Sequence, residues 1–157
     1  YVPDFFGVYD NLKVSEYMEF FASCYGITGL QARTRCHTLL EQVRLEDKED
    51  FFVDGLSRGM KQRLCLSRAL IHDPDLLILD EPITGLDPSA IQDFYHLIKK
   101  LNREDGITII MVSHDIGNVI SQANKILHLH RKVVFCGTAE EYKKSVAGKE
   151  FLGGDEA

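Results

Sequence analysis

The feature that most limits the possible folds is a run of four apolar residues followed by two acids and a proline. Leu76-Leu77-Ile78-Leu79 is interrupted by no polar residue and leads directly into Asp80-Glu81-Pro82. A continuous apolar run bounded by a turn signal is typical of a strand that is buried on both faces. Such strands occur mainly in parallel sheets that are covered by helices. We therefore expect a parallel sheet around this segment.

A second apolar run and the stretch before it extend the same pattern. Ile107 to Val112 is typical of another buried strand. Between the two runs, Asp87-Pro88 combines a good N-cap residue with proline at the first helical position, so a helix should start there. Strand, helix and strand in succession form the repeating unit of parallel α/β proteins. The predicted fold class is therefore α/β.

The segments on either side of this unit are predicted from their periodicity and capping signals. Apolar residues recur at helical spacing from Val14 to Tyr25 and from Cys36 to Val43, which predicts two amphipathic helices. A third helix is expected from Ser57 to about Ile71. Near the end, two short strands are predicted at Lys125 to His130 and Lys132 to Cys136. A last helix should follow Thr138, which forms a capping box with Glu141.

Composition narrows the class of protein. The 157 residues carry a net charge of −6 and are 45% hydrophobic. These values fit one domain with a real core and provide no broad basic face for nucleic acid. The apolar runs are far shorter than the roughly 20 residues that a membrane helix needs. We therefore expect no nucleic-acid partner and no direct insertion into a membrane.

The cysteines and the first residue bear on the cellular context. Cys24, Cys36, Cys65 and Cys136 show no CxxC spacing and lie within apolar patterns. Reduced, buried thiols of this kind are typical of a cytosolic protein, so a cytoplasmic location is expected. The sequence begins at Tyr1 without an initiator Met or a signal-type leader, and we expect it to be part of a longer protein.

Two polar clusters follow the predicted parallel strands. Asp80-Glu81 closes the first strand and His114 closes the second. Ligands of parallel sheets bind beyond the carboxyl ends of the strands, so these side chains could face one site. One carboxylate of such a pair can hold Mg²⁺ while the next polarises an attacking water. The alternative is that Asp80 only caps the following turn.

Four motifs in a fixed order favour the hydrolytic interpretation. Leu56 to Leu64 reads LSRGMKQRL, Leu76 to Pro82 reads LLILDEP, and Gly85-Leu86-Asp87 and His114 follow them. Together they resemble the signature, Walker B, D-loop and switch-histidine motifs of ABC-type ATPases. The resemblance covers nearly the whole chain.

The resemblance implies a partial P-loop NTPase core with a mainly parallel sheet, together with the helical subdomain of this family. Residues 1–157 would form a single partial ABC ATPase domain. The helical subdomain with the signature motif would span about residues 11–72, and the α/β core with the other three motifs about 73–137. A C-terminal helix and tail would occupy residues 138–157.

The resemblance also implies contacts with ATP. The residues that would touch the nucleotide are Ser57, Arg58, Gly59, Gln62, Asp87 and Asp4. In the family, the signature residues contact ATP held by the opposite subunit, and the D-loop aspartate couples the two sites. The helix start at Ser57 suits this role, because free N–H groups and the positive end of the helix dipole attract phosphate. Ser57 should also be an ordinary N-cap.

Catalytic roles follow from the same resemblance. Asp80 would support Mg²⁺, Glu81 would be the general base and His114 would contact the γ-phosphate. Arg58 stands where the commonest family version has glycine. It would either add positive charge near the phosphate or point to solvent.

The sequence departs from the family pattern in two places. Asp4 stands where the Q-loop usually has glutamine, and no GxxxxGK[ST] phosphate loop occurs in the 157 residues. We therefore expect the isolated chain to lack ATPase activity. Loss of the phosphate-loop strand should also leave Leu76 to Leu79 with unpaired backbone groups and bare apolar sides, which favours pairing between two copies.

The two halves of the chain resemble different ABC ATPases. Phe5 to Leu12 and the Ser-Arg-Gly-Met signature look like exporters, whereas Ile107 to Gly137 looks more like the ATPases of metal-ion importers. A mosaic chain joined near Asp80 to Asp87 would explain this difference. The helical insert before the signature is typical of transporters, in which it receives the membrane subunits.

Two functional hypotheses remain open at this stage. In the first, the chain is the ATPase domain of a membrane transporter, using ATP and Mg²⁺ with a second ATPase subunit and transmembrane permease subunits. It would then be cytoplasmic and peripheral to the membrane. In the second, it is a truncated or mosaic fragment that acts at most as an interaction module, and that forms homo-oligomers when isolated.

Overall fold

The computed structural model describes residues 1–3 and 11–152. The chain divides into two compact units, Tyr1–Val112 and Ser113–Ala157. The described residues of the first unit contain the helices α1 Val14–Cys24, α2 Gly29–Gln42, α3 Arg58–Ala69 and α4 Pro88–Arg103, the strands β1 Leu76–Asp80 and β2 Thr108–Val112, and the short 3-10 helices Glu46–Lys48 and Val53–Gly55. The predicted α/β architecture is observed.

The start of α4 follows from its local sequence. The side chain of Asp87 accepts a hydrogen bond from the N–H of Ala90 at 3.0 Å, and Pro88 occupies the first turn, where its missing N–H is no loss.

Helix α3 ends at Ala69 rather than at Ile71, and Asp73 beyond it has a positive φ of 57°. The chain therefore turns sharply before it enters β1.

Strand β1 is bonded to neighbours along both of its edges. It pairs in parallel with β2, in a register that runs from Leu76 opposite Thr108 to Asp80 opposite Val112. On its other edge, the N–H of Val2 donates to the carbonyl of Ile78 at 2.8 Å, and the N–H of Asp80 donates to the carbonyl of Val2 at 2.9 Å. The expectation of unpaired backbone groups is therefore wrong at the carbonyl of Ile78, because Val2 occupies this part of the second edge.

The two strands are buried on one face only. Leu77 and Leu79 are fully buried, whereas Leu76 is 45% exposed and Ile78 38% exposed. The same alternation continues in β2, where Ile110 and Val112 are exposed and their neighbours are not. The expectation of strands buried on both faces is thus wrong for the described chain, while the expectation of bare apolar side chains is confirmed.

Arginine side chains connect α3 to the helices around it. Arg68 donates to the hydroxyl of Tyr17 on α1 at 3.0 Å. Arg63 donates to the carbonyl of Val43, just beyond α2, at 3.1 Å. The core beneath these contacts joins the helices to β1, and its largest fully buried members in this unit are Tyr17, Phe94, Met18, Leu40, Leu45, Leu64, Leu66, Ile71, Leu77, Leu79 and Leu101. Helix α3 is therefore held by both apolar and polar contacts.

The described residues of the second unit form a β-hairpin with three short helices: α5 Ile116–Gln122, β3 Lys125–His130, β4 Lys132–Thr138, α6 Ala139–Lys144 and α7 Val146–Leu152. The predicted capping box is confirmed, since Thr138 and Glu141 bond each other's backbone N–H groups. The single helix expected after it is two helices, because Ser145 takes an extended conformation and ends α6. Gly148 fits there because a Cβ would overlap the carbonyl oxygen of Tyr142.

The cysteines divide into two classes, and this corrects the expectation that all four are buried. Cys36 and Cys65 are buried, whereas Cys24 at the end of α1 and Cys136 in β4 are exposed. Burial raises the pKa of the Cys36 thiol to about 11, and the charges of Glu19 and Glu49 add to the shift. Burial likewise raises the pKa of the Cys65 thiol. Two thiols are therefore open to solvent and two are protected.

This division predicts the kinetics of thiol labelling at pH 8. Cys24 and Cys136 should react rapidly with a thiol reagent, because the thiolate is the reactive form and both side chains are accessible. Cys36 and Cys65 should react only as the protein unfolds. Absorbance with an Ellman-type reagent measures both phases. The double variant Cys24→Ser, Cys136→Ser should lose the fast phase, and its persistence would contradict the assigned burial.

Candidate functional site

The start of α3 presents the free N–H groups of a capped helix. Ser57 has extended backbone angles, and its hydroxyl accepts a hydrogen bond from the N–H of Met60 at 3.3 Å. Leu56, just before it, is buried and anchors the turn. The predicted N-cap is confirmed. Ser57 itself is exposed, so this helix end is open to a ligand.

The start of α4 packs directly against the start of α3. A Cβ placed on Gly59 would lie 3.2 Å from the Cβ of Ala90, which is closer than side chains normally approach. Any larger residue at this position would require the two helix starts to move apart by a few tenths of an ångström. Between them lies a cleft of about 270 Å³, lined by Ser57, Gly59, Met60, Arg63, Leu86, Asp87, Ser89, Ala90, Asp93 and Phe94. Two positive helix ends thus border one cleft, which suits an anionic ligand.

Arg58 lies over the loop that leads into α4. A Cβ placed on Gly85 would come within 2.7 Å of Nη1 of Arg58. Gly85 also has a φ of +70°, a conformation that other residues rarely adopt. The guanidinium therefore covers the Gly85 backbone, an arrangement that neither sequence-based alternative for Arg58 had included.

The Asp80-Glu81 pair stands at the carboxyl end of β1. Oδ2 of Asp80 accepts a hydrogen bond from the hydroxyl of Tyr1 at 2.8 Å. Glu81 donates its N–H to the carbonyl of Val112, the last residue of β2, at 3.0 Å. The Asp80 carboxylate is therefore bonded to one neighbour of β1 and the Glu81 backbone to the other, and the bond to Tyr1 is a contact that a simple turn cap does not include.

Glu81 is held in an unusual backbone conformation. Its φ is 47°, in the left-handed region that few residues other than glycine adopt. Oε2 of Glu81 accepts a hydrogen bond from the hydroxyl of Thr84 at 3.4 Å, and the carbonyl of Glu81 accepts one from the N–H of Thr84 at 3.2 Å. Strained backbone that surrounding structure maintains is common at functional sites. Here it places Glu81 where its carboxylate and its carbonyl both accept hydrogen bonds from Thr84.

The donor set at this strand end fits Mg²⁺ bound together with phosphate. Magnesium is usually held by one or two carboxylates while waters and substrate phosphates complete its shell. Asp80 supplies such a carboxylate, with its Oδ2 bonded to the hydroxyl of Tyr1. In the described part of the chain, no group of three or more His, Cys, Asp or Glu side chains is placed to hold a metal ion. Waters and phosphate oxygens would therefore have to complete the shell of a bound ion.

The other predicted site residues lie in different settings. Asp4 lies outside the described residues. Gln62 is on α3 but is buried, and its Nε2 has no hydrogen-bond partner among the described residues. His114 is exposed and belongs to the second unit, so its expected position near Asp80 stays a prediction. A larger open depression of about 870 Å³ lies between α1, α2 and the end of α3, and it contains none of the motif residues.

Comparison with known proteins identifies the family. A family model described as ABC transporter matches residues 1–84. The chain belongs to the ABC transporter family. The ABC transporter ATP-binding protein NatA of Bacillus subtilis is 33% identical over 140 residues, which cover 88% of this chain and 56% of NatA. A probable metal transport system ATP-binding protein of Thermotoga maritima is 42% identical over 106 residues, which cover 68% of this chain and 44% of that protein.

A solved structure confirms the fold of the family. The dimeric structure of a bacterial ABC transporter cassette superposes with a TM-score of 0.75 at 29% identity, covering 88% of this chain and 61% of that chain. The same cassette is known in a post-hydrolysis state bound to ADP and Pi. This ABC chain spans about half the length of the curated relatives it matches. Among its described residues, no helix is long and apolar enough to cross a membrane.

Sequence reasoning missed two residues of the site. Thr84 lies three positions after Glu81, a spacing at which its hydroxyl can reach back to the Glu81 carboxylate. The sequence therefore contained a local signal for this contact. Tyr1 is 79 positions away from Asp80, and nothing in the local sequence pairs them. Only the parallel arrangement of residues 1–3 with β1 reveals that contact.

Substitution of Gly85 tests how the loop beneath Arg58 is built. Gly85→Ala should lower the free energy of unfolding by about 1–2 kcal/mol, because an L-residue is strained at this positive φ. Gly55→Ala is the matched control, since Gly55 has no positive φ and nothing within 4 Å of an added Cβ. Thermal unfolding measures both changes. In an Arg58→Ala background, Gly85→Ala should regain little stability, because the flexible guanidinium can already move aside. Equal stability of Gly85→Ala and Gly55→Ala would contradict the strain assigned to Gly85.

Proposed function

We propose that the chain is the catalytic half of an ATP-hydrolysing domain of a membrane transporter. The observation that carries the proposal is the cleft between the starts of α3 and α4, where Ser57 and Gly59 lie beside the Asp87 cap. Membership of the ABC transporter family supports it. In this function the chain supplies the signature, Walker B, D-loop and switch-histidine motifs, and a phosphate loop outside these 157 residues grips the nucleotide.

Ser57, Arg58 and Gly59 are proposed to bind the γ-phosphate of ATP. The capped start of α3 offers N–H groups and the positive end of a helix dipole, and Ser57 is exposed beside them. Arg58 adds a positive charge at the same end. Asp87 would link this site to the opposite one through α4, and Gln62 and Asp4 are kept as further nucleotide contacts by family resemblance.

The strand end is proposed to supply the hydrolytic groups. Asp80 would support Mg²⁺, which offsets the negative charge of the phosphates when bound. Glu81 would accept a proton from the attacking water, with its carboxylate directed by Thr84. His114 would contact the γ-phosphate. Positioning and charge neutralisation provide most of the catalysis in phosphoryl transfer, so a small number of well-held groups is sufficient.

The proposed partners are a second ABC ATPase subunit and transmembrane permease subunits, with the domain cytoplasmic and peripheral to the membrane. Family relatives support this, since NatA is a transporter ATP-binding protein and the solved cassette is dimeric. The alternative function is an interaction module without hydrolysis of its own. It is favoured by one sequence observation, namely that no GxxxxGK[ST] occurs in the 157 residues.

A complementation assay distinguishes the two functions. The partner is an ABC cassette that has an intact phosphate loop and an inactivated signature serine, so that hydrolysis requires a signature supplied in trans. Adding this chain with Mg²⁺ and ATP should raise phosphate release, and Ser57→Arg should abolish the increase by placing a bulky side chain at the helix start. The chain alone should show no turnover above background.

The matched control for this assay is Ser23→Arg, which introduces the same side chain at another exposed serine on α1. It should stimulate the partner as well as the unmodified chain does. Circular dichroism checks that both variants are folded, since loss of an N-cap costs only about 1 kcal/mol. Equal stimulation by Ser57→Arg and Ser23→Arg would contradict the signature assignment. Absence of any stimulation would favour the interaction module.

We also propose that the isolated chain pairs with itself through the bare face of β1 and β2. Four apolar side chains are exposed on this face: Leu76, Ile78, Ile110 and Val112. Light scattering after size-exclusion chromatography should give at least a dimer at micromolar concentrations, and Ile110→Lys should give a monomer. Leu30→Lys, at an apolar residue that is 81% exposed elsewhere, should leave the assembly unchanged. A monomeric wild-type chain would refute the pairing.

A further inference from the structure

The hydroxyl of Tyr1 meets the carboxylate that is proposed to hold Mg²⁺. It donates to Oδ2 of Asp80 at 2.8 Å across a separation of 79 residues. A hydrogen bond to an ionised acceptor is stronger than one between neutral groups. This contact therefore restrains the Asp80 carboxylate.

The backbone holds Tyr1 in this place. Val2 is fully buried, and its N–H and carbonyl groups bond Ile78 and Asp80 on β1 at 2.8 Å and 2.9 Å. Val2 lies opposite Leu79, so Tyr1 shares a sheet face with Ile78 and Asp80 rather than with the core residues. The phenol ring can then lie along that face towards the strand end. The contact thus follows from the register of the sheet.

The chemistry of a phenol suits the task of orienting a metal ligand. A lysine or arginine at this position would also hold the carboxylate, but it would neutralise the charge that attracts the cation and would repel the cation directly. The tyrosine hydroxyl donates one hydrogen bond without carrying a charge. It fixes one oxygen of Asp80 and leaves the negative charge of the group available at the other.

We propose that Tyr1 is a positioning residue that orients the Asp80 carboxylate for a divalent cation. Its bond to Oδ2 limits rotation of the carboxyl group, so that Oδ1 is presented for coordination and less side-chain freedom is lost when the metal binds. This inference rests on the proposed role of Asp80. It assigns to the first residue of the chain a part in metal binding that none of the family motifs includes.

The test uses Mn²⁺ alone as a paramagnetic probe of the whole chain. Broadening of the backbone amide signals of residues 79–81 is followed by NMR during titration, in the wild type and in Tyr1→Phe, Asp80→Asn and Tyr25→Phe. Tyr25→Phe is the matched control, because it removes the same hydroxyl from an exposed ring that stacks on His72. Hydrogen exchange of the Asp80 amide, which donates to Val2, reports separately on the backbone.

The expected result is a loss of Mn²⁺ affinity of about 10-fold in Tyr1→Phe. This is the lower end of the range for a residue that supports a metal ligand, because the contact is exposed. Tyr25→Phe should match the wild type, Asp80→Asn should abolish the local broadening, and exchange of the Asp80 amide should be unchanged in Tyr1→Phe.

Three other outcomes overturn the proposal in distinguishable ways. Unchanged affinity in Tyr1→Phe, with broadening lost in Asp80→Asn, rejects the role of Tyr1 and leaves Asp80 as a metal ligand. Weaker binding with faster exchange of the Asp80 amide shows that Tyr1 acts only by holding the strand. If the wild type and Asp80→Asn broaden equally, or if neither broadens, Asp80 has no role in metal binding. The proposed function of the strand end is then rejected as well.

Discussion

The arrangement of the site depends on the hydrogen bonds along both edges of β1. Val2 bonds one edge and β2 the other, while Leu77 and Leu79 anchor the buried face. A parallel strand held in this way can neither slide nor rotate without losing bonds on two sides. Its carboxyl end, with Asp80 and Glu81, is therefore a fixed point in the first unit. The carboxylates owe their position to backbone pairing as much as to their own contacts.

The two helix starts show a second way of building a site, in which small residues allow charged ends to meet. Gly59 lets α3 approach Ala90 on α4, and Arg58 then lies over Gly85. Free N–H groups of two helices consequently border one cleft, where their dipoles add. Because the contact is intrachain, any movement of α4 would alter the geometry of the signature residues, which gives Asp87 a physical route to affect them.

Features that depend on short-range interactions could be predicted from the sequence, and those that depend on distant packing could not. The caps at Ser57, Asp87 and Thr138 are as expected, because each involves a side chain and a backbone group three residues away. Burial of the strands on both faces was predicted wrongly, since an apolar run does not reveal whether anything covers it. Cys136 was misjudged for the same reason. The bond between Tyr1 and Asp80 depends on sheet register, which no local pattern encodes.

The left-handed backbone of Glu81 has a consequence for how this position can vary. β-Branched residues are the least able to adopt its φ of 47°, and the residues that adopt it most readily are glycine and asparagine, which carry no carboxylate. Aspartate tolerates the conformation better than glutamate, but its carboxylate is one carbon shorter and would not reach as far beyond the strand. Selection for a stable backbone and selection for a long acidic side chain therefore oppose each other at this residue. Under the proposed role of Glu81, drift towards asparagine or glycine at position 81 would mark a descendant that has kept the fold and lost the proposed hydrolytic group.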